Sequence, residues 1–197
     1  SKRRAAKKNK NVNLKNKFIV LQSGMICEAR NQMDSIKAVE NVRLKIPNIL
    51  LVLTGKEDSE YKKKLEQYIL KNKLEENIKF IGMFSRREDL CDLYKAAKIG
   101  IFPIGGQGGV LAPYEMLCAG NPIIISSDME TAQMTREHNL GIVTKEYDKA
   151  LLEIYNNYEE YKKKAKIASI WIKKNLSWDI FADRMIDAFK DVWRGNK

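Results

Sequence analysis

Six short apolar runs punctuate the chain, at residues 18–21, 49–54, 78–81, 99–102, 122–126 and 141–144. Most are continuously apolar and rich in isoleucine and valine. That is the pattern of strands covered on both faces, as in a parallel sheet. Pro122 stands first in its run, where a strand loses no ladder bond. Between the runs the apolar period changes to that of a helix. Met33, Ile36, Val39 and Val42 recur at three-residue spacing, and Tyr61, Leu65, Tyr68 and Ile69 form a second stripe. A third, Leu90, Leu93, Tyr94 and Ala97, follows Ser85 and Glu88, which are spaced as a capping box. Each stripe predicts the face that packs on the sheet. Strand and helix in alternation imply βαβ units with right-handed crossovers. The expected fold is therefore α/β, a Rossmann-like, doubly wound parallel sheet of about six strands with C-terminal helices.

After Thr144 the strand pattern stops. Residues 151–161 and 162–174 read as helices, and a last helix is expected from Ser177, a good N-cap. Its stripe is Trp178, Phe181, Met185, Phe189 and Val192. This face either packs within the domain or covers a neighbouring one.

In an open α/β sheet, ligands bind outside the carboxyl ends of the strands. The candidate loops are then 22–30, 55–58, 82–85, 103–111 and 127–130. One stretch, FPIGGQGGVLAPYEM at 102–116, stands out. A buried strand runs into Gly105, Gly106, Gly108 and Gly109, split by Gln107. A helical pattern follows, with Pro113 near its start and Glu115 inside it. Glycines let a backbone approach a ligand closely, and a helix N-terminus presents free N–H groups to an anion. A flexible loop would share the glycines, but not the carboxylate placed a few residues on. Arg30 could reach the same phosphates. As a cation near a helix start it opposes the helix dipole, which favours a ligand role over an ordinary exposed arginine.

Charge and composition narrow the class. The net charge is +11, but residues 1–17 hold eight of the 36 Lys/Arg and no acid, so 28 bases face 25 acids in the rest. We divide the chain into a basic linker or disordered arm at 1–16 and one domain at 17–197. The arm fits peripheral contact with an anionic membrane surface and equally fits a solvated linker. Nucleic acid is not expected, since the strands lack interleaved basic and aromatic residues. No apolar run approaches the roughly 20 residues that span a bilayer, and no secretory signal is read in the first residues. Cys27, Cys91 and Cys118 form no C-x-x-C pair, which fits a reducing, cytoplasmic setting. The P-loop pattern, a full G-x-G-x-x-G and a D-x-D metal motif are all absent from the sequence. The single His138 excludes a histidine pair and reads as a surface or capping residue.

Several segments taken in order resemble a known family. LTGKEDSEYKKKLEQYI (53–69) is similar to its strand, glycine turn and helix. NIKFIGMFSRREDLCDLYKAAKIGIFP (77–103) resembles the segment before its motif strand. QGGVLAPYEMLCAGNPIIIS (107–126) resembles its E-x7-E motif and the strand beyond. NLGIVT (139–144) and LSWDIFADRM (176–185) resemble its late strand and closing helix. The family is the GT-B glycosyltransferases, and the likeness is to their C-terminal, nucleotide-binding half, in particular glycosyltransferase family 4 (group 1).

The resemblance implies transfer of a sugar from a UDP- or GDP-linked donor to an acceptor, with retention at the anomeric carbon. It implies no metal or other cofactor. Glu115 takes the place of the second glutamate, which binds the ribose hydroxyls. Gln107 takes that of the first, near the sugar, and has lost the charge. Gly108, Gly109, Val110 and Leu111 would offer N–H groups to the diphosphate. Arg30 lines up with the phosphate-binding lysine, whose usual arginine partner is replaced by Met25. Met83 and Phe84 match the turn that meets the base. The acceptor-binding N-terminal domain, or a partner chain that supplies it, is expected outside these residues, so the isolated domain would be inactive. The alternative is a non-catalytic GT-B-like binding or scaffold module, favoured by Gln107 and Met25.

Overall fold

In the computed structural model, residues 14–106 and 110–195 are described. Six strands form one sheet: β1 (Phe18–Ser23), β2 (Ile49–Thr54), β3 (Ile78–Gly82), β4 (Ile99–Phe102), β5 (Ile123–Ile125) and β6 (Ile142–Val143). All neighbours are parallel, in the order β3-β2-β1-β4-β5-β6. Register pairs Phe18 with Ile49, Val20 with Ile99 and Gly100 with Ile123. The order reverses between β1 and β4, which opens the crevice where ligands bind in such sheets.

Eight helices accompany the strands among the described residues: α1 (Gln32–Val42), α2 (Ser59–Lys71), α3 (Arg87–Ala96), α4 (Ala112–Cys118), α5 (Ala132–Glu137), α6 (Tyr147–Asn156), α7 (Tyr158–Asn175) and α8 (Trp178–Gly195). The alternation of side chains along each strand supplies two cores. Phe18 and Val20 face a cluster that takes in Ile36 and Val39 of α1, Leu65 of α2 and Leu151 of α6. Ile19 and Leu21 face the other, with Leu93 of α3, Met116 of α4 and Ile172 of α7. Hence β1, β2, β4 and β5 are buried at every position, on one face or the other, while the edge strands β3 and β6 are only partly covered.

The six expected strands are all present, with β5 and β6 shorter than their apolar runs. Two details differ. The capping box at Ser85 and Glu88 does not form, because α3 starts one residue later than that cap requires. Arg86 holds the N-cap position without a side-chain cap, and Glu88 engages its guanidinium at 3.4 Å instead. The break between the late helices falls at Asn157, not after Tyr161. Ser177 does cap α8, its Oγ accepting the Ile180 N–H at 3.3 Å. His138 sits at the C-cap of α5 and stacks on Trp171, ring centroids 4.2 Å apart.

Candidate functional site

The loops after β1, β2 and β3 are sewn together at the carboxyl edge of the sheet. Gly24 N–H donates to the Thr54 carbonyl at 2.9 Å, and Gly55 N–H to the Gly82 carbonyl at 3.0 Å. The Thr54 hydroxyl reaches the same Gly82 carbonyl at 2.5 Å, and Ile26 N–H closes on Lys56 at 2.8 Å. Gly55 is required here. Its φ is +147°, and a Cβ would lie 1.9 Å from the Gly24 oxygen. Only glycine admits both the angle and the approach.

These loops enclose a cleft of about 530 Å³. Ser23, Gly24 and Met25 form one wall, and Thr54, Gly55 and Lys56 form the floor. Met83, Phe84, Ser85, Arg86, Arg87 and Leu90 form the other wall, and Glu115 of α4 closes one end. Three cations, Lys56, Arg86 and Arg87, therefore line a space with one carboxylate. That volume is in the range of small-molecule sites.

Glu115 is held from two sides. The Tyr94 hydroxyl donates to Oε2 at 2.8 Å, and the Arg87 guanidinium stands 3.6 Å from Oε1. The Glu115 side chain is still about one third exposed (35 %). Burial, with the Glu115 carboxylate beside it, pushes the Tyr94 phenol above its ordinary range, so Tyr94 stays a proton donor. Its backbone is fixed as well, since the fully buried Asn121 donates to the Tyr94 carbonyl at 2.6 Å. The Lys162 ammonium donates in turn to the Asn121 amide oxygen. Burial and the neighbouring Lys98 and Lys166 push the Lys162 ammonium down from its ordinary range.

Of the residues singled out in the sequence, Met83, Phe84 and Glu115 line this one cleft. Arg30 does not. It ends a short 3-10 turn, Glu28–Arg30, with its carbonyl accepting from Gln22 Nε2 at 2.7 Å. The next residue, Asn31, donates to the Pro103 carbonyl at 2.8 Å, which presses this turn against the start of the glycine-rich loop. Arg30 Nη1 is buried without a hydrogen-bond partner among the described residues. Val110 is buried among the apolar residues of the second core. Leu111 is at the N-cap of α4 and lines a separate apolar groove of about 710 Å³ on the far side of Glu115. Gln107, Gly108 and Gly109 lie outside the described residues.

Sequence reading passed over Gly24, Lys56, Arg86, Arg87 and Tyr94. The first four lie in or beside loops at strand ends, and that position was their signal. Tyr94 read as a core stripe residue, and its ring does lie in the core. The hydroxyl reaches a carboxylate 21 residues away, which no local pattern announces.

The architecture and the cleft at the sheet's carboxyl edge define a Rossmann-like domain of the GT-B glycosyltransferase kind. Residues 3–171 match the sequence model of the glycosyl transferases group 1, and the chain belongs to that family. No curated protein matches the chain. Among solved structures it is similar to HepE from Anabaena in complex with UDP and glucose: TM-score 0.84, 16 % identity, 97 % of this chain and 53 % of that one covered. Sucrose-phosphate synthase from Thermosynechococcus elongatus gives a TM-score of 0.81 at 18 % identity, covering 94 % and 47 %. The C-terminal domain of a group 1 glycosyl transferase (LpcC) from Francisella tularensis gives 0.74 at 17 %, covering 82 % and 87 %. At such identities the likeness is one of fold. The chain spans about half the length of HepE and of the synthase. Among the described residues no helix is long and apolar enough to cross a membrane.

Proposed function

We propose that this chain is the donor-binding half of a retaining glycosyltransferase of family 4, its C-terminal domain, and that it holds a nucleotide diphosphate sugar in the cleft between β1–β3 and α4. The observation that carries this reading is the carboxylate of Glu115, held by Tyr94 and facing a cleft lined by three cations. A carboxylate accepts two hydrogen bonds from a vicinal diol, so Glu115 takes the ribose. Met83 and Phe84 flank the base. Arg30, with an N–H still lacking an acceptor, and the N–H groups at 108–111 take the diphosphate. They stabilise charge as it develops on the leaving group. No metal is then required for that task. Gln107 contacts the sugar as a neutral hydrogen-bonding group.

The acceptor side is supplied by a second Rossmann-like domain or a partner chain, consistent with a span of about half the length of HepE. Helix α8 supports the same reading. It exposes Trp178, Phe181, Phe189, Val192 and Trp193, with Trp178 74 % accessible, a face that a neighbouring domain would cover. The isolated chain would then bind nucleotide weakly and transfer nothing. It would work in the cytoplasm, with the basic arm 1–16 touching an anionic membrane surface.

Titration calorimetry with UDP, GDP and their sugars tests the reading. Binding of one of them, abolished by Glu115→Ala and largely kept by Gln107→Glu, is the expected result. A correctly folded chain that binds none of them would instead favour a scaffold that kept the fold and lost the chemistry, the reading that Met25 and Gln107 support. Sugar transfer by the isolated chain without a partner would overturn the two-part arrangement.

A further inference from the structure

Glu115 lies on the ridge between the cation-lined cleft and the apolar groove, and a carboxylate on a ridge has rotamer freedom to lose. Binding a diol with both oxygens needs the carboxylate plane fixed toward the cleft. Four features supply that restraint. The Tyr94 hydroxyl donates to Oε2 at 2.8 Å. The Ser23 hydroxyl, at the end of β1 and on the cleft wall, approaches the same phenol. Tyr94 is only 4 % exposed, and its ring is packed in the core with Leu93 and Met116, so the hydroxyl cannot swing away. Its backbone carbonyl is pinned by Asn121. The hydroxyl therefore sits at a position set by α3, the β5 entrance and the core together, while Glu115 hangs from a short helix of seven residues.

We propose that Tyr94 is a positioning residue for the donor. By donating to one oxygen of Glu115 it turns the carboxylate so that its remaining lone pairs face the cleft and receive the two hydroxyls of a nucleotide ribose. The inference rests on the donor-cleft reading above and adds to it the group that sets selectivity for the ribose. Tyr94 touches no substrate. It acts through Glu115, and its effect is confined to ligands that carry the diol. Arg87 completes the arrangement from outside. Its side chain is 80 % exposed and reaches the other oxygen at 3.6 Å, so it yields readily to an incoming hydroxyl.

The test compares UDP with 2′-deoxy-UDP, and GDP with 2′-deoxy-GDP, by calorimetry on the chain and its variants. The wild type should prefer the ribonucleotide. Tyr94→Phe keeps the ring, so the core stays packed. It should weaken the ribonucleotide by about tenfold, less than the full worth of a hydrogen bond to a charged group, because the Tyr94–Glu115 bond is already made without ligand. The deoxynucleotide should weaken less, so that the preference shrinks. A purely structural role for Tyr94 would lower the melting temperature and weaken both ligands alike.

Coupling gives a second readout that does not depend on stability. On a Glu115→Gln background Tyr94→Phe should cost little further affinity, because the partner it orients has already changed. An unchanged ribose preference in Tyr94→Phe, or the same loss with and without Glu115→Gln, overturns the role of Tyr94 and leaves the cleft reading intact. Failure of the wild type to bind either ribonucleotide overturns the cleft reading itself, and this inference with it.

Discussion

Gly55→Ala is the sharpest test of how the cleft is built. A Cβ at this position would lie 1.9 Å from the Gly24 oxygen and 2.5 Å from the Gly24 carbonyl carbon. Both are backbone atoms that cannot rotate aside, so the loops after β1 and β2 must part. Two costs add. Alanine at φ +147° is in a region that side chains rarely adopt, about 1–3 kcal/mol. Parting the loops strains the bonds from Gly24 to Thr54 and from Ile26 to Lys56, at about 1 kcal/mol each. The total is about 3–5 kcal/mol. Gly24→Ala supplies the control. Its φ is +140°, yet nothing lies within 4 Å of the added Cβ, so it carries the conformational cost alone, about 1–3 kcal/mol. Urea denaturation of both variants gives the difference directly. Gly55→Ala should be the less stable by about 2 kcal/mol and should lose nucleotide affinity, since the cleft walls move. Equal destabilisation of the two variants would refute the argument that backbone contact between these loops builds the cleft.

Asn121→Ala removes an amide that serves both the Tyr94 carbonyl and the Lys162 ammonium. The buried Tyr94 carbonyl is left unpaired, while the half-buried Lys162 ammonium can turn to water, and thermal unfolding should show a loss of about 1–3 kcal/mol. At high pH the buried phenols govern stability. Burial raises Tyr94 above the ordinary 10.0, so the unfolded state gives up this proton first. Stability is then fully present below pH 10 and falls as pH rises beyond it. Chemical denaturation between pH 9 and 12 should show this fall, weaker in Tyr94→Phe. Lys162 acts in the opposite sense, its lowered value relieving a cost as pH approaches 10.5, and a net rise in stability above pH 10 would show that the phenols do not dominate. Nucleotide affinity should fall severalfold between 0.1 and 1 M NaCl, because the Debye length shrinks from about 10 to 3 Å and the cleft cations are open to solvent. Affinity independent of salt would remove Lys56, Arg86 and Arg87 from the binding account.

The sheet was legible because its code is redundant. A strand buried on both faces must be apolar at every position, and Ile49 to Thr54 spells that out with no helical alternative at such length. The helix stripes were equally plain, since Ile36, Val39 and Val42 can share only one face. Helix starts were less so. Ser85 and Glu88 have capping-box spacing, yet Ser85 lines the cleft and Glu88 pairs with Arg86. Local propensity yielded there to the loop that shapes the cleft. Glu115 was legible through its spacing from the glycine loop. Tyr94 was not, because one side chain makes two kinds of contact: its ring fills the core while its hydroxyl donates to Glu115. The periodicity of a sequence records the first and is blind to the second.

Met25 and Gln107 are the two places where a charge expected by resemblance is missing, and the structure shows what stands near the first of them. The β1 loop brings no cation to the cleft wall, while the β2 and β3 loops bring Lys56, Arg86 and Arg87. Coulomb energy falls only as the inverse of distance, about 4 kcal/mol for a unit pair at 4 Å and half that at 8 Å at an effective dielectric of 20. A cation moved across a narrow cleft therefore keeps much of its pull on an anion. What it gives up is direction. An arginine beside the phosphates grips two oxygens in a plane, whereas one on the opposite wall supplies only a field. On the proposed donor reading, attraction of a nucleotide diphosphate to this cleft would then be preserved, and alignment of the leaving group would fall to Arg30, which stands outside the cleft lining with a buried Nη1. Lys56→Ala, Arg86→Ala and Arg87→Ala should accordingly each weaken nucleotide affinity in calorimetry, and unchanged affinity in all three would refute this field argument.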